Sequence, residues 1–352
     1  VDLGVNLDSL ASWMDEQGLG SGPIGDARLL AGGTQNILLR FTRDGRDYVL
    51  RRPPRHPRPN SNETMRREAR LLGAIWQTAV PHPHLIAACD DESVLGAVFY
   101  LMEPVDGFNP TSGLPPLHAG SAEVQHRMGL ALIEALVALG AVDHLALGLD
   151  DFGRPEGYLE RQVSRWQSQL DGYAELVEWP GASGLGDVAA VGRWLEANRP
   201  NSFRPGIMHG DFHMANAMFR NDGPELAAVV DWELTTIGDP LIDLGWLLAT
   251  WPEVGQDGAV SVKPWIGFPT APELVAHYRA CGGRDTRDVQ WYAVLGCYKL
   301  GILLEGTYAR ACAGKAPMEV GQKLHDRACG LFERAGRWIE GGLPGMNREG
   351  SA

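Results

Sequence analysis

The chain has no paired cysteines, no long apolar run and no surplus of basic charge. Its five cysteines, Cys89, Cys281, Cys297, Cys312 and Cys329, are scattered, form no CxxC and are odd in number. That pattern argues against a disulfide framework or a zinc knuckle; reduced, buried thiols in a cytoplasmic protein are expected. Lysine and arginine total 31 against 44 acidic residues, a net charge of -13. Non-specific nucleic-acid binding needs a basic face, so that function class is set aside. No apolar run approaches the ~18–20 residues of a membrane span. Val1 to Leu10 lacks the basic-then-apolar order of a signal peptide. No internal repeat stands out. What the chain does have is 352 residues, 44% of them hydrophobic, enough for one large domain or two moderate ones.

The first third reads as β. Arg28 to Ala31, Ile37 to Thr42 and Asp47 to Arg52 form three predicted strands. They are separated by the tight loop Gly32-Gly33-Thr34-Gln35-Asn36 and the turn Arg43-Asp44-Gly45-Arg46. The Pro-rich run Arg51 to Pro59 cannot be helical throughout and is expected to be an exposed, mobile connection. A helix over Glu63 to Gln77 places Met65, Glu68, Leu72 and Ile75 on one face. A carboxylate on an apolar face calls for a partner, which makes pairing of Glu68 the preferred reading over a solvated side chain. Val94 to Met102 reads as a further strand and Glu103-Pro104-Val105-Asp106-Gly107 as a hinge. Beyond it the pattern is helical: Val124 to Val142, Tyr158 to Leu176, Asp187 to Asn198, and most of the chain from Leu241 to a Gly-rich, frayed tail. One β-hairpin interrupts the helices, with strands Ala217 to Phe219 and Leu226 to Val230 around Asn221-Asp222-Gly223-Pro224.

That hairpin carries the chemistry. Asn216 stands just before its first strand and Asp231 just after its second, so both come to the same end, on strands about 5 Å apart. A carboxylate beside an amide oxygen suits a hard cation such as Mg²⁺. Asp211, on the loop leading in, is close enough to serve the same site. Phosphoryl transfer needs a metal on the phosphates and a carboxylate that orients the attacking hydroxyl. Asn216 and Asp231 fit the first role and Asp211 the second.

These residues resemble a known family. His209-Gly210-Asp211 with Asn216 and then Asp231 is similar to the catalytic and metal-binding motif of the aminoglycoside phosphotransferases, relatives of the protein kinases. Gly32 to Asn36 resembles that family's nucleotide-covering loop, Leu101 to Gly107 its hinge, and Asp239 to Gly245 the segment after the metal aspartate. The resemblance covers roughly residues 28–250, in order. It implies an α+β, two-lobed, protein-kinase-like fold, with a β-rich N-lobe over residues 1–104 and a mainly helical C-lobe over 105–352 holding the acceptor pocket. It implies an ATP-dependent phosphotransferase acting on a small-molecule hydroxyl, with Asp211 as base and Mg²⁺ on Asn216 and Asp231. ATP would meet Gly32, Gly33 and Thr34 at its phosphates and the backbone of Glu103 and Val105 at adenine, while Asp243 braces the catalytic loop. Where relatives carry Lys on the third strand, this chain has Arg51, expected to clamp phosphate with Glu68 as partner. The Arg51 replacement also suggests an alternative, a non-catalytic nucleotide-binding module. The run Asp231 to Pro240 is closer to the branch found beside or fused to acyl-CoA dehydrogenases, which resembles hydroxyacyl-CoA kinases; an aminoglycoside kinase is the other specific alternative.

Other features have plainer readings. The string His209-x-Asp211-x-His213 suggests a metal hydrolase only if further ligands follow at matching spacing; packing for His209 and a loop position for His213 are preferred. The basic cluster Arg51 to Arg58 is read mainly as solvated loop. Trp13, Trp76 and Trp166 are read as core or surface aromatics. Glu233 is either a third metal neighbour or an acid of the substrate cleft.

Overall fold

The structure, a computed structural model, describes residues 3–30, 36–253 and 260–344. Gly32, Gly33 and Thr34, the 254–259 stretch and the Gly-rich tail beyond 344 lie outside the described residues. The chain begins with helix α1 (Leu7–Glu16), capped by Asn6, whose side chain accepts from Asp8 N and Ser9 N. Strands β1 (Gly25–Leu29), β2 (Ile37–Arg43) and β3 (Arg46–Arg52) follow, then α2 (Ser61–Ile75), β4 (Leu85–Cys89), α3 (Glu92–Leu95) and β5 (Phe99–Met102). The five strands form one antiparallel sheet in the order β1-β2-β3-β5-β4.

Alternation along the strands sends side chains to two different cores. Leu39, Phe41, Leu50, Phe99 and Leu101 bury against Leu10, Trp13 and Met14 of α1. Tyr100 and Val98 instead join Met65, Leu72 and Ile75 of α2 in the cluster that continues into the second lobe. Helix α2 is tied down at its polar edge too. Arg67 donates to Phe152 O (2.9 Å) and Thr235 O (3.3 Å), and Arg70 to Gly148 O (2.7 Å) and Asp151 (2.6 Å).

The second lobe contains α4 (Pro116–Gly120), α5 (Ala122–Ala141), α6 (Glu160–Asp171) and α7 (Val188–Ala197). Two short β pairs come next, β6 (Gly206–Met208) with β9 (Thr236–Gly238), and β7 (Ala217–Phe219) with β8 (Leu226–Val229). Helices α8 (Leu241–Thr250), α9 (Ala271–Ala280), α10 (Val289–Cys312) and α11 (Met318–Gly341) complete it. Helix α5 is long and apolar enough to cross a bilayer by composition. Here Met128, Leu132, Ile133, Leu136 and Leu139 are buried in the lobe's core.

Four expectations change. The strand expected over Val94 to Met102 starts at Phe99. Before it, Asp91 caps a helical turn by accepting from Ser93 N (2.8 Å), and Gly96 ends that turn at φ +78°. The Pro-rich connection is exposed only from Arg55 to Asn60; Arg51, Arg52 and Pro53 are buried, because they still belong to, or directly leave, β3. Strand β4 and helix α1 were not expected. The hairpin is not the single β feature of the second lobe, since β6 and β9 form a second pair.

Candidate active site

Arg51 links the two lobes chemically. It lies opposite Tyr100 across β3 and β5, and it faces α2. Its Nε donates to Glu68 Oε2 (3.1 Å) and its Nη2 to Asp231 Oδ1 (2.9 Å); Glu233 Oε2 is 3.8 Å from the same nitrogen. Asn36 Nδ2 approaches Glu233 Oε2 at 3.5 Å. Burial alone would lower Arg51, but Glu68, Tyr100 and Asp231 hold it above its ordinary value. Burial pushes the Glu68 carboxyl up, to about 7, against the pull of the guanidinium. Three acidic side chains thus surround one cation, and a further cation would relieve their mutual repulsion.

The Asp211 loop is built from below. Asp243, buried on α8, accepts from His209 N (2.6 Å) and Gly210 N (2.9 Å). Burial pushes the Asp243 carboxyl up, to about 7, while those two donors pull it down. His209 Nε2 lies 2.9 Å from Val230 O, and His209 Nδ1 accepts from Asp211 N (3.3 Å). The proton therefore sits on Nε2. Burial lowers His209 to about 4, so the ring is neutral at neutral pH. Gly210 has φ +85°, and a Cβ there would stand 2.6 Å from Leu234 O. Only glycine fits this turn.

Asp211 itself is held at both oxygens. Oδ1 accepts from Trp246 Nε1 (2.9 Å) and lies 3.1 Å from His213 Nε2; Oδ2 accepts from Asn216 Nδ2 (3.0 Å). His213 Nδ1 accepts from Ala215 N (3.2 Å), which leaves its proton on the nitrogen facing Asp211. Burial would raise the Asp211 carboxyl, but the His213 hydrogen bond and nearby positive charge, including Lys299, take it below the ordinary carboxylate range. Lys299 Nζ donates to Gly210 O (3.0 Å) and sits 4.1 Å from the centre of the Trp246 ring.

The hairpin geometry puts the remaining two residues together. Ala217 pairs with Val229, and Val230 N donates to Asn216 O (2.9 Å), so Asn216 and Asp231 flank one end. Asn216 Nδ2 also bonds Asp211 O (3.0 Å). With its nitrogen committed to Asp211, the amide oxygen remains as a ligand. Asp231 adopts φ +66°, a region non-glycine residues rarely occupy. One neutral oxygen donor and one carboxylate, inside a group with surplus negative charge, fit a hard divalent cation.

Among the residues singled out from the sequence, Arg51, Glu68, Asp211, Asn216 and Asp231 therefore form one connected network, braced by Asp243. Glu103 lies just beyond β5. Its amide bonds His84 O (2.9 Å), which leaves the carbonyl for a ligand, and its carboxylate lies on Arg46 (3.0 Å). Val105 lies in the segment between the lobes, three residues ahead of Phe108, which pairs with Phe219. Sequence reasoning missed Tyr100, Trp246 and Lys299. Tyr100 and Trp246 each stand one residue outside a segment singled out above, Leu101 to Gly107 and Asp239 to Gly245, whereas nothing near Lys299 signals a site; the Asp211-facing Trp and Lys come from α8 and α10, 35 and 88 residues further on.

Known proteins resemble this chain in sequence and fold. The sequence model of the phosphotransferase enzyme family matches residues 26–263. Acyl-CoA dehydrogenase family member 11 of Gallus gallus is 33% identical over 83% of this chain and 38% of its own length. The Homo sapiens protein of the same name is 31% identical over 77% and 34%. The chain thus spans little more than a third of these relatives. Among solved structures, a Ralstonia eutropha protein named for the aminoglycoside phosphotransferases is 26% identical, with a TM-score of 0.78 over 96% of this chain and 98% of that one. The ternary complex of aminoglycoside phosphotransferase APH(4)-Ia with AMP-PNP and hygromycin B shares the fold, with 15% identity and a TM-score of 0.59 over 93% and 98%. The β-rich and helical lobes are those of the kinase-like fold, and the chain belongs to the phosphotransferase enzyme family.

Proposed function

We propose that this protein transfers the γ-phosphoryl group of ATP to a hydroxyl of a small molecule. The observation that carries the proposal is the network from Arg51 through Asp231 and Asn216 to Asp211, residues up to 180 positions apart. Asn216 Oδ1 and the Asp231 carboxylate would hold Mg²⁺, which when bound neutralises phosphate charge. Arg51 presents a fixed positive charge to the phosphates, kept ionised by Glu68. The acceptor oxygen attacks the γ-phosphorus, the bond to the β–γ bridging oxygen breaks, ADP leaves, and the hydroxyl proton passes to Asp211. Asp211 is a weak base in this setting. That suits a loose transition state, in which the hydroxyl is oriented first and loses its proton late. Trp246, His213 and Asn216 fix the carboxylate, so its position does not depend on substrate.

A second, narrower reading concerns the acceptor. The relatives named for acyl-CoA dehydrogenases are longer chains, which favours an acceptor related to an acyl thioester. An apolar cavity of about 1460 Å³ supports it: Trp251, Trp265, Phe268 and Trp338 are among its lining. Leu248 of α8 also lines it, two residues and about 3 Å along the helix axis from Trp246. We infer that a hydroxyacyl-CoA is the preferred acceptor. A panel of hydroxyacyl-CoA thioesters and aminoglycosides, read by ADP release, tests this. Turnover on the thioesters alone is expected; turnover on aminoglycosides alone overturns the narrower reading and leaves the transfer itself standing.

Asp211→Asn should keep melting temperature and ATP affinity while turnover falls by about 10²–10⁴-fold. Unchanged turnover with an active acceptor would remove Asp211 from the base role.

Asp231→Ala and Asn216→Ala are read by calorimetric titration of ATP with and without Mg²⁺. Both should lose Mg²⁺ enhancement of binding, Asn216→Ala less, because a neutral amide supplies less charge. In Asp231→Ala the metal-free affinity should hold or rise, since a carboxylate that repels the phosphates and competes with them for Arg51 is removed. Equal enhancement in all three proteins would contradict the metal assignment.

A further inference from the structure

Outside the phosphotransferase centre, three side chains from two helices converge. His277 lies in the last turn of α9 and Cys281 caps that helix, four residues on. Glu134 reaches them from α5. His277 Nε2 is 3.0 Å from Glu134 Oε1 and 3.4 Å from Cys281 Sγ, and all three potential ligand atoms lie within 4.8 Å of one another. We propose that Glu134, His277 and Cys281 form a binding site for Zn²⁺, with solvent as the fourth ligand.

Four arguments support it. Tetrahedral coordination at ordinary Zn–N, Zn–O and Zn–S lengths separates ligand atoms by about 3.3–3.6 Å, close to both observed distances. The i, i+4 spacing presents imidazole and sulfur on one helix face. The donor set, one sulfur, one imidazole and one carboxylate, selects a borderline-soft ion over Mg²⁺ or Ca²⁺. The position also favours a cation, because the carbonyl end of α9 carries partial negative charge. Without the ion, burial and the neighbouring Glu134 keep the Cys281 thiol above its ordinary value, hence protonated. Binding therefore releases the thiol proton to solvent as the Zn–S bond forms. Arg127, whose Nη2 is 3.4 Å from Glu134 Oε1, must give way. The pair is exposed and contributes little, about 0–1 kcal/mol. Once bound, the ion ties α9 to α5.

The full chain, stripped of metal, is titrated with Co²⁺ as probe and followed by absorption. One equivalent should produce a sulfur-to-cobalt charge-transfer band and the intense visible bands of four-coordinate Co²⁺, and one equivalent of Zn²⁺ should erase both. Oxygen ligands at Asn216 and Asp231 give no sulfur band, so the two sites are separable. Cys281→Ser should abolish the charge-transfer band, Cys312→Ser should leave it, and His277→Ala should weaken Zn²⁺ by about tenfold or more. Circular dichroism of each metal-free variant should match the parent. No sulfur band at one equivalent, or a band that survives Cys281→Ser, overturns the proposal.

Discussion

A guanidinium placed between carboxylates from different parts of the chain organises this molecule. Arg51 comes from the sheet, Glu68 from the helix packed on it, and Asp231 from the end of a hairpin in the other lobe. Such a buried pair adds little to stability, because desolvation offsets the Coulomb attraction. Its value is positional. The fork of Arg reaches Glu68 through Nε and Asp231 through Nη2 at once, which the single nitrogen of Lys does with less directional constraint. The strand, the helix and the hairpin end are thereby held in one register, and surplus negative charge remains for a cation.

Around that link, the second lobe holds the Asp211 carboxylate from beneath. Asp243 ties down two successive amides, neutral His209 bridges the Asp211 loop to Val230 O, and Gly210 allows the close approach to Leu234 O. Lys299 and Trp246 close the network on the far side. The groups that touch Asp211 are thus fixed by buried elements, while under the proposed function the surfaces left open would take nucleotide and acceptor. That division is why the reaction class can be read from the centre and the acceptor must be argued from the cavity beyond α8.

Much of this was legible in the sequence, for physical reasons that differ by element. The hairpin was readable because its turn, Asn221 to Pro224, and its bracketing Asn216 and Asp231 are local. Glu68 was readable because a carboxylate between Met65 and Leu72 on a buried face needs a partner, and Arg51 is that partner in the structure. Strands β6 and β9, three residues each, are too short to show alternation, and they pair across 27 residues of intervening chain. Helix α1 was missed although Asn6 caps it, since its short apolar face does not stand out without the sheet it covers. Val94 and Leu95 look like strand residues, but the cap at Asp91 and the turn at Gly96 outweigh that preference. Lys299, Trp246 and the approach of Glu134 to the local His277–Cys281 pair depend on helix packing over long separations, and no local pattern encodes that.

The most direct test of the account is ATP binding and turnover in Arg51→Met beside Arg51→Lys. Removing the charge should weaken ATP by about tenfold or more and suppress turnover, and Lys should restore part of both as a point charge. Glu68 loses its partner in the Met variant, so a fall in melting temperature should accompany the change and be smaller in Arg51→Lys. Wild-type affinity and turnover in Arg51→Met would contradict the account, because the interaction on which the cleft depends would then be dispensable.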